Sequence, residues 1–312
     1  MGESGSHDPV AEARKIFGPF RLLRIISEGA TGVVLEAEHR TLGRRVAVKT
    51  FNPKGFQRSG MNVSQMTELF LNEARIQSGI EHMHVLPIYD AGFARAGEML
   101  IDVPYMALRL VSNGDLGNSI DRHGALPFIR VLRLARECAL GLQAIHAAGY
   151  VHRDIKPGNI LIEDDGLARI TDFSVARSLR EVETDKIVVG TPGYLAPEQI
   201  EGRPASPGTD IYALGVTLLF ALAGTAPTAD DYLEVLERCI DRNDQRSSCL
   251  AAILAHSVSP DPAERYGKAA DLVEDCALVE AGGSPRYAPL GKWRRRLSIS
   301  AQLKAAMGMD PK

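Results

Sequence analysis

The 312-residue sequence is poor in cysteine, with only Cys138, Cys239, Cys249 and Cys276, and it holds one tryptophan. The cysteines lie far apart, with no Cys-x-x-Cys pair and no histidine at metal-ligand spacing. Neither a disulfide framework nor a zinc site is therefore expected, and a reducing, cytoplasmic location fits best. Long apolar runs are also missing. The most apolar stretch, Tyr212 to Ala226, falls short of the ~20 residues that cross a bilayer and is expected as a buried helix. No basic start followed by an apolar segment opens the chain, so no secretory leader is expected. Nor is positive charge in excess: 36 Lys and Arg face 39 Asp and Glu, a net charge of -3, which argues against nucleic acid as a partner. Basic character collects at the end instead, where Arg286, Lys292, Arg294, Arg295, Arg296, Lys304 and Lys312 face Asp310 alone.

What is present has the make-up of a folded chain, 45% hydrophobic and 24% charged, which excludes wholesale disorder and a coiled coil. Residues 1–19 are mostly small and polar and are expected to be flexible. Alternating apolar positions then predict strands over Phe20–Ile26, Val33–Glu38 and Arg45–Phe51, with two more near Leu86–Phe93 and Met99–Leu110. Between them Met66, Leu69, Phe70 and Ile76 share one face of a predicted helix over Val63–Gln77. After Gly114 the period changes. Phe128, Val131, Leu132, Ala135, Cys138, Ala139, Leu142 and Ile145 predict a long helix from Pro127 to Gly149. Strands first and helices after predict two lobes, with a ligand cleft where they meet near residues 109–114.

Three segments carry chemistry. Ser27-Glu28-Gly29-Ala30-Thr31-Gly32-Val33-Val34 sits between two predicted strands, where glycines let backbone amides approach an anion. By itself it is no more than a tight turn. Val46-Ala47-Val48-Lys49 follows, and an ammonium in an apolar strand needs a partner, for which Glu73 on the next helix is suited. The decisive segment is His152-Arg153-Asp154-Ile155-Lys156-Pro157-Gly158-Asn159, with Thr171-Asp172-Phe173 beyond it. There Asp154 can accept a hydroxyl proton, and Asn159 and Asp172 offer the hard oxygen atoms that Mg²⁺ prefers.

With these motifs in order, the sequence resembles the protein serine/threonine kinases over about Phe20 to Val279, and most of all the bacterial eukaryotic-like, or Hanks-type, kinases. The resemblance implies an α+β, two-lobed fold with a small antiparallel N-lobe sheet, one main N-lobe helix and a larger helical C-lobe. It implies ATP with Mg²⁺ or Mn²⁺ as cofactors and protein Ser or Thr hydroxyls as acceptors. Lys49 resembles the phosphate-contacting lysine with Glu73 its partner, Asp154 the catalytic base, Lys156 the second phosphate-contacting lysine, and Asn159 and Asp172 the metal ligands. Ser27, Gly29, Gly32, Val34 and Ala47 fall at nucleotide-binding positions. Leu108 falls at the gatekeeper, and Arg109 to Val111 at the hinge that meets adenine through its backbone. Gly190 to Glu198 resembles the end of an activation segment, with Glu198 pairing Arg265 and Asp210 anchoring the catalytic loop.

Two departures stand out: Ser27 replaces the first glycine of the phosphate loop, and Asp172-Phe173-Ser174 replaces Asp-Phe-Gly. Ser174 adds a Cβ where the family has a permissive glycine, and both changes motivate an alternative, a pseudokinase scaffold with weak turnover. A small-molecule phosphotransferase is opposed by Lys156-Pro157 and Ala196-Pro197-Glu198. Ser178, Thr184 and Thr191 lie where phosphate could pair with Arg153, with Thr184 the best autophosphorylation candidate and Thr191 a structural contact to Asp154 and Lys156. His82 and His84 are expected to be structural. The resulting expectation is a kinase domain over 20–280, its N-lobe about 20–108 and C-lobe about 112–280, followed by a basic tail over 281–312. Expected partners are ATP, protein substrates and a second copy of the chain during autophosphorylation. The tail, with Trp293 and Ser298, adds the options of an anionic membrane surface or a phosphorylated basic segment.

Overall fold

The computed structural model describes residues 16–29, 32–51, 62–95, 102–182, 189–226, 232–241 and 243–288. The chain divides into two compact units, one comprising Met1–Glu81 with Leu86–Val111 and the other His82–Val85 with Ser112–Lys312. The hinge residues 109–111 group with the first unit, and the short segment that Glu81 precedes, His82–Val85, groups with the second. The reason is a set of long-range bonds: Val85 bridges to Ile170, and the His84 ring meets the Ala168 carbonyl at 2.9 Å.

In the first unit, β1 (Ile16–Phe17), β2 (Phe20–Glu28), β3 (Gly32–His39), β4 (Arg45–Phe51), β5 (Ile88–Arg95) and β6 (Asp102–Arg109) form an antiparallel sheet in the order β1-β2-β3-β4-β6-β5. Alternation along the strands buries Phe20, Ala37, Val46, Val48 and Ala107 together, with Tyr105 edge-on to Phe17 and Phe20. Helix α1 (Val63–Ser78) opens on a reciprocal cap: the Asn62 side chain accepts from Gln65 N and the Gln65 side chain accepts from Asn62 N. The folded region starts before Phe20. Ile16 and Phe17 pair with Arg21 and Phe20 across the Gly18-Pro19 turn, and Phe17 is buried, so the expectation of a flexible segment through residue 19 does not hold for residues 16–19. Two residues carry no periodicity to read, which is why the strand was not expected.

The second unit is mainly helical. Its helices are α2 (Leu116–His123), α3 (Phe128–Ala147), α4 (Leu179–Val182), α5 (Pro197–Ile200), α6 (Pro207–Ala223), α7 (Tyr232–Cys239), α8 (Gln245–Ser257) and α9 (Ala269–Glu280). Its strands are short: β7 (Tyr150–Val151) pairs with β10 (Arg177–Ser178), and β8 (Ile160–Ile162) with β9 (Ala168–Ile170). Helix α3 buries the predicted stripe from Val131 to Ile145 while Phe128 at its start is only partly buried, and α6 is buried on nearly every side, as the apolar run from Tyr212 suggested. No helix among the described residues is long and apolar enough to cross a membrane. This unit also runs past the expected boundary at 280. The buried Asp275 carboxylate accepts from the Tyr266 hydroxyl and from the backbone N–H groups of Arg286, Tyr287 and Ala288, so the fold includes the strap up to Ala288.

Candidate active site

The first unit supplies the strand lysine and its partner. Antiparallel register sets Lys49 of β4 opposite Val34 of β3 and Met106 of β6, and Ala47 opposite Leu108. Cross-strand partners share a face, so Ser27, Val34, Ala47, Lys49 and Leu108 gather on one side of the sheet. Lys49 Nζ reaches Glu73 Oε1 at 2.6 Å, with only 12% and 5% of the two side chains exposed. Arg109 lies at the end of β6 and Val111 just beyond it. The two loop glycines differ in kind. A Cβ on Gly32 would meet the Thr50 carbonyl at 2.8 Å, so the sheet itself requires glycine there. On Gly29 the nearest atom among the described residues would be Gly32 O at 3.8 Å, an ordinary contact.

The second unit holds the predicted catalytic segment. Asp154 is the hub: Lys156 Nζ donates to Oδ2 at 2.7 Å, and the Thr191 hydroxyl donates to Oδ1 at 2.7 Å. Lys156 Nζ also donates to Thr191 Oγ1 at 2.7 Å, closing a triangle. Asn159 Nδ2 donates to the Asp154 carbonyl at 2.8 Å and to Oδ2 at 3.0 Å, which leaves the amide oxygen as the atom it presents on its other side. Asn159 O in turn accepts from Thr171 N at 3.0 Å, tying Asp172 to the same loop. An amide and a carboxylate oxygen suit a cation whose shell is completed by phosphate oxygens and water, the habit of Mg²⁺. Among the described residues no group of three or more His, Cys, Asp or Glu side chains could hold a metal unaided.

The loop is held from below by Asp210. Its carboxylate accepts from His152 N at 2.9 Å and Arg153 N at 2.8 Å, and meets His146 Nε2 at 2.8 Å. Burial alone would raise the Asp210 pKa. The His146 contact, the electrostatic influence of both histidines and the His152 N–H reverse this and hold it below the ordinary aspartate value. Arg153 is thereby fixed at φ 67 and Asp172 takes φ 66; among the described residues these are the non-glycine residues with positive φ. Both are strained conformations, sustained by the surrounding bonds. Phe173 is buried edge-on to His152, with centroids 4.9 Å apart.

Farther off, Arg265 Nη1 and Nη2 grip Glu198 Oε1 and Oε2 at 2.6 and 2.8 Å, with the Arg265 guanidinium 4.7 Å over the Tyr212 ring. Burial works against the Glu198 charge, but the Arg265 bonds and charge prevail and keep its pKa below the usual carboxylate range.

Against known proteins, residues 20–279 match the protein kinase domain family. The chain belongs to the protein kinase family. It is 34% identical over 277 residues to "Serine/threonine-protein kinase PknA" of Mycobacterium tuberculosis, an alignment covering 86% of this chain and 63% of that protein. It is 32% identical to "Serine/threonine-protein kinases drp72" of Corynebacterium efficiens, covering 87% and 53%, and 33% identical to PknE of M. tuberculosis, covering 85% and 47%. The chain thus spans less than two thirds of the length of these relatives. It has the antiparallel sheet and helical unit of the kinase fold.

Several features of this kinase domain escape sequence reasoning. His146 sits at the last turn of α3 beside an apolar stripe, and only the long-range contact reveals it as the Asp210 partner. Ser178 caps α4: its N–H and hydroxyl donate to Glu181 Oε2 at 3.1 and 2.9 Å, a reciprocal cap legible in principle from Ser-x-x-Glu. Ser174 is not among the positive-φ residues, so its Cβ meets no left-handed backbone. Thr184, like the whole tail from residue 289, lies outside the described residues.

Proposed function

We propose that this chain transfers the γ-phosphoryl group of Mg-ATP to Ser and Thr hydroxyls of proteins, itself included. The observation that carries this is the Asp154 triangle: a threonine hydroxyl donates to one carboxylate oxygen at 2.7 Å while the Lys156 ammonium donates to the other and to the threonine oxygen. A substrate hydroxyl replacing Thr191 would meet the same base and the same positive charge. In this reading Asp154 orients the hydroxyl and takes its proton, and Lys156 offsets charge on the transferred group. Lys49, kept in place by Glu73, contacts phosphates, and Gly29 and Gly32 cover them through their backbone. Asn159 and Asp172 hold the cation, and Arg109 and Val111 offer backbone groups to adenine. Bound Mg²⁺, or Mn²⁺ in its place, neutralises phosphate charge during transfer. Arg153 and Thr184 would order the activation segment after autophosphorylation between two copies. Ser178 is the weaker site, because its hydroxyl already serves the α4 cap. The domain would act on cytoplasmic proteins, with the basic tail near an anionic membrane.

The pseudokinase alternative loses one of its supports, since Ser174 imposes no left-handed backbone. The deciding experiment incubates the protein with γ-labelled ATP, with and without Mg²⁺ or Mn²⁺, beside Asp154→Asn, and maps the label. Metal-dependent label on Ser or Thr that the mutant lacks is the expected result. Absence of label with either metal, on the chain and on a generic protein substrate, overturns the proposal.

A further inference from the structure

Away from the catalytic segment, a pocket of about 500 Å³ opens on the helical unit where α3, the His82–Val85 segment and the end of α9 come together. That volume lies within the range of small-molecule sites. Its apolar wall is Met83, Leu140 and Leu167, and its charged wall is Arg133 and Arg136 with Glu137 and Glu280. The hydrogen-bond inventory of this wall is unbalanced. Glu137 accepts Arg133 Nε at 2.7 Å on one oxygen and Ala168 N at 2.9 Å on the other. Glu280 accepts Arg136 Nη1 at 3.0 Å. Both carboxylates are therefore engaged within the fold.

The arginines are not exhausted. Each guanidinium carries five N–H donors. Arg133 commits Nε, and its two terminal nitrogens stand beyond that bond. Arg136 commits Nη1, while its Nε is buried and has no hydrogen-bond partner among the described residues. That Nε lies too deep for an oxygen in the pocket to reach, so the donors this wall offers an incoming anion are the uncommitted terminal nitrogens of Arg133 and Arg136, on side chains 54% and 44% exposed.

We propose that the pocket binds a small amphipathic oxyanion, a carboxylate on a short alkyl or aryl body. The oxyanion sits against the terminal nitrogens of Arg133 and Arg136, and the body lies along Met83, Leu140 and Leu167. Such a ligand would tie α3 to the His82–Val85 segment, which the His84–Ala168 bond already fixes from the other side.

The test uses octanoate as probe, with octan-1-ol as its neutral counterpart and inorganic phosphate as the bare anion. Calorimetry gives affinity and methyl NMR of Met83 and Leu140 gives location. Saturable octanoate binding that shifts those methyls, with each control at least tenfold weaker, is expected. Arg136→Gln should weaken binding at least tenfold. Because that change also removes the Glu280 pair, Met83→Glu provides a second arm: Met83 is exposed, the ion pairs are left intact, and a carboxylate at the mouth should repel the probe by a similar factor. The proposal fails if octanoate does not saturate, if the shifts fall elsewhere, if either control binds as tightly, or if both variants bind octanoate as wild type does.

Discussion

The Glu198–Arg265 and Lys156–Asp154 pairs share one unit and nearly one length, 2.6 and 2.7 Å, but not one environment. Arg265 and Glu198 expose 0% and 3% of their side chains, whereas Lys156 and Asp154 expose 27% and 10%. The first pair is also locked to backbone, since Arg265 donates to the carbonyls of Ser259 and Pro260. The second is bonded to Thr191, a side chain that a substrate hydroxyl could displace. A charge pair buried and fully bonded serves the fold, because neither partner survives alone in a low dielectric. A pair left reachable keeps bonds that can be exchanged, and chemistry needs that.

The largest effect should follow from Asp154→Asn. Removing a positioned base lowers phosphoryl transfer by about 10²- to 10⁴-fold, and the melting temperature should stay near wild type, as both assays on one preparation would show. If the mutant unfolds instead, the contrast between the two pairs collapses. Arg265→Ala should do the reverse, removing about 3–5 kcal/mol of stability in urea unfolding by leaving Glu198 buried and uncompensated. This loss has a pH signature. The folded Glu198 pKa is lowered, so the pair's contribution is complete above the unfolded value of about 4.3 and disappears as pH falls through the folded value. The gap between wild type and Arg265→Ala should therefore narrow below about pH 4; a gap that stays constant would mean that packing over Tyr212, not charge, supplies the stability.

Smaller is the effect of ending the chain after Glu280. That truncation strips three backbone donors from the buried Asp275 and should cost about 1–3 kcal/mol, read as a fall in melting temperature relative to the full chain. Smallest of all is Ser174→Gly. With no positive φ to relieve, it should shift stability by less than about 1 kcal/mol, through unfolded-chain entropy, and leave turnover close to wild type.

The parts of this protein that sequence reading reached are those where one short segment contains its own explanation. Lys49 in an apolar strand demanded an acid, and Glu73 meets it at 2.6 Å. The apolar stripe of α3 and the run around α6 predicted burial, and both helices are buried as their periods implied. What was not legible depends on residues far apart in the chain. His146 and Asp210, Asp275 and the 286–288 strap, and His84 with Ala168 are single polar contacts with no period or local pattern to announce them.

By itself the sequence determined the order of strands and helices, the oxygen and nitrogen groups available for chemistry, and the family to which they belong. These follow from residue type and spacing, which are properties of short segments. Tertiary structure alone decided which of those groups are held by others: that Asp210 fixes the backbone under Arg153, that positive φ falls on Asp172 and not Ser174, and that an Arg136 N–H has no acceptor among the described residues. The physical reason is that burial and hydrogen-bond satisfaction are settled only when distant segments compete for the same space.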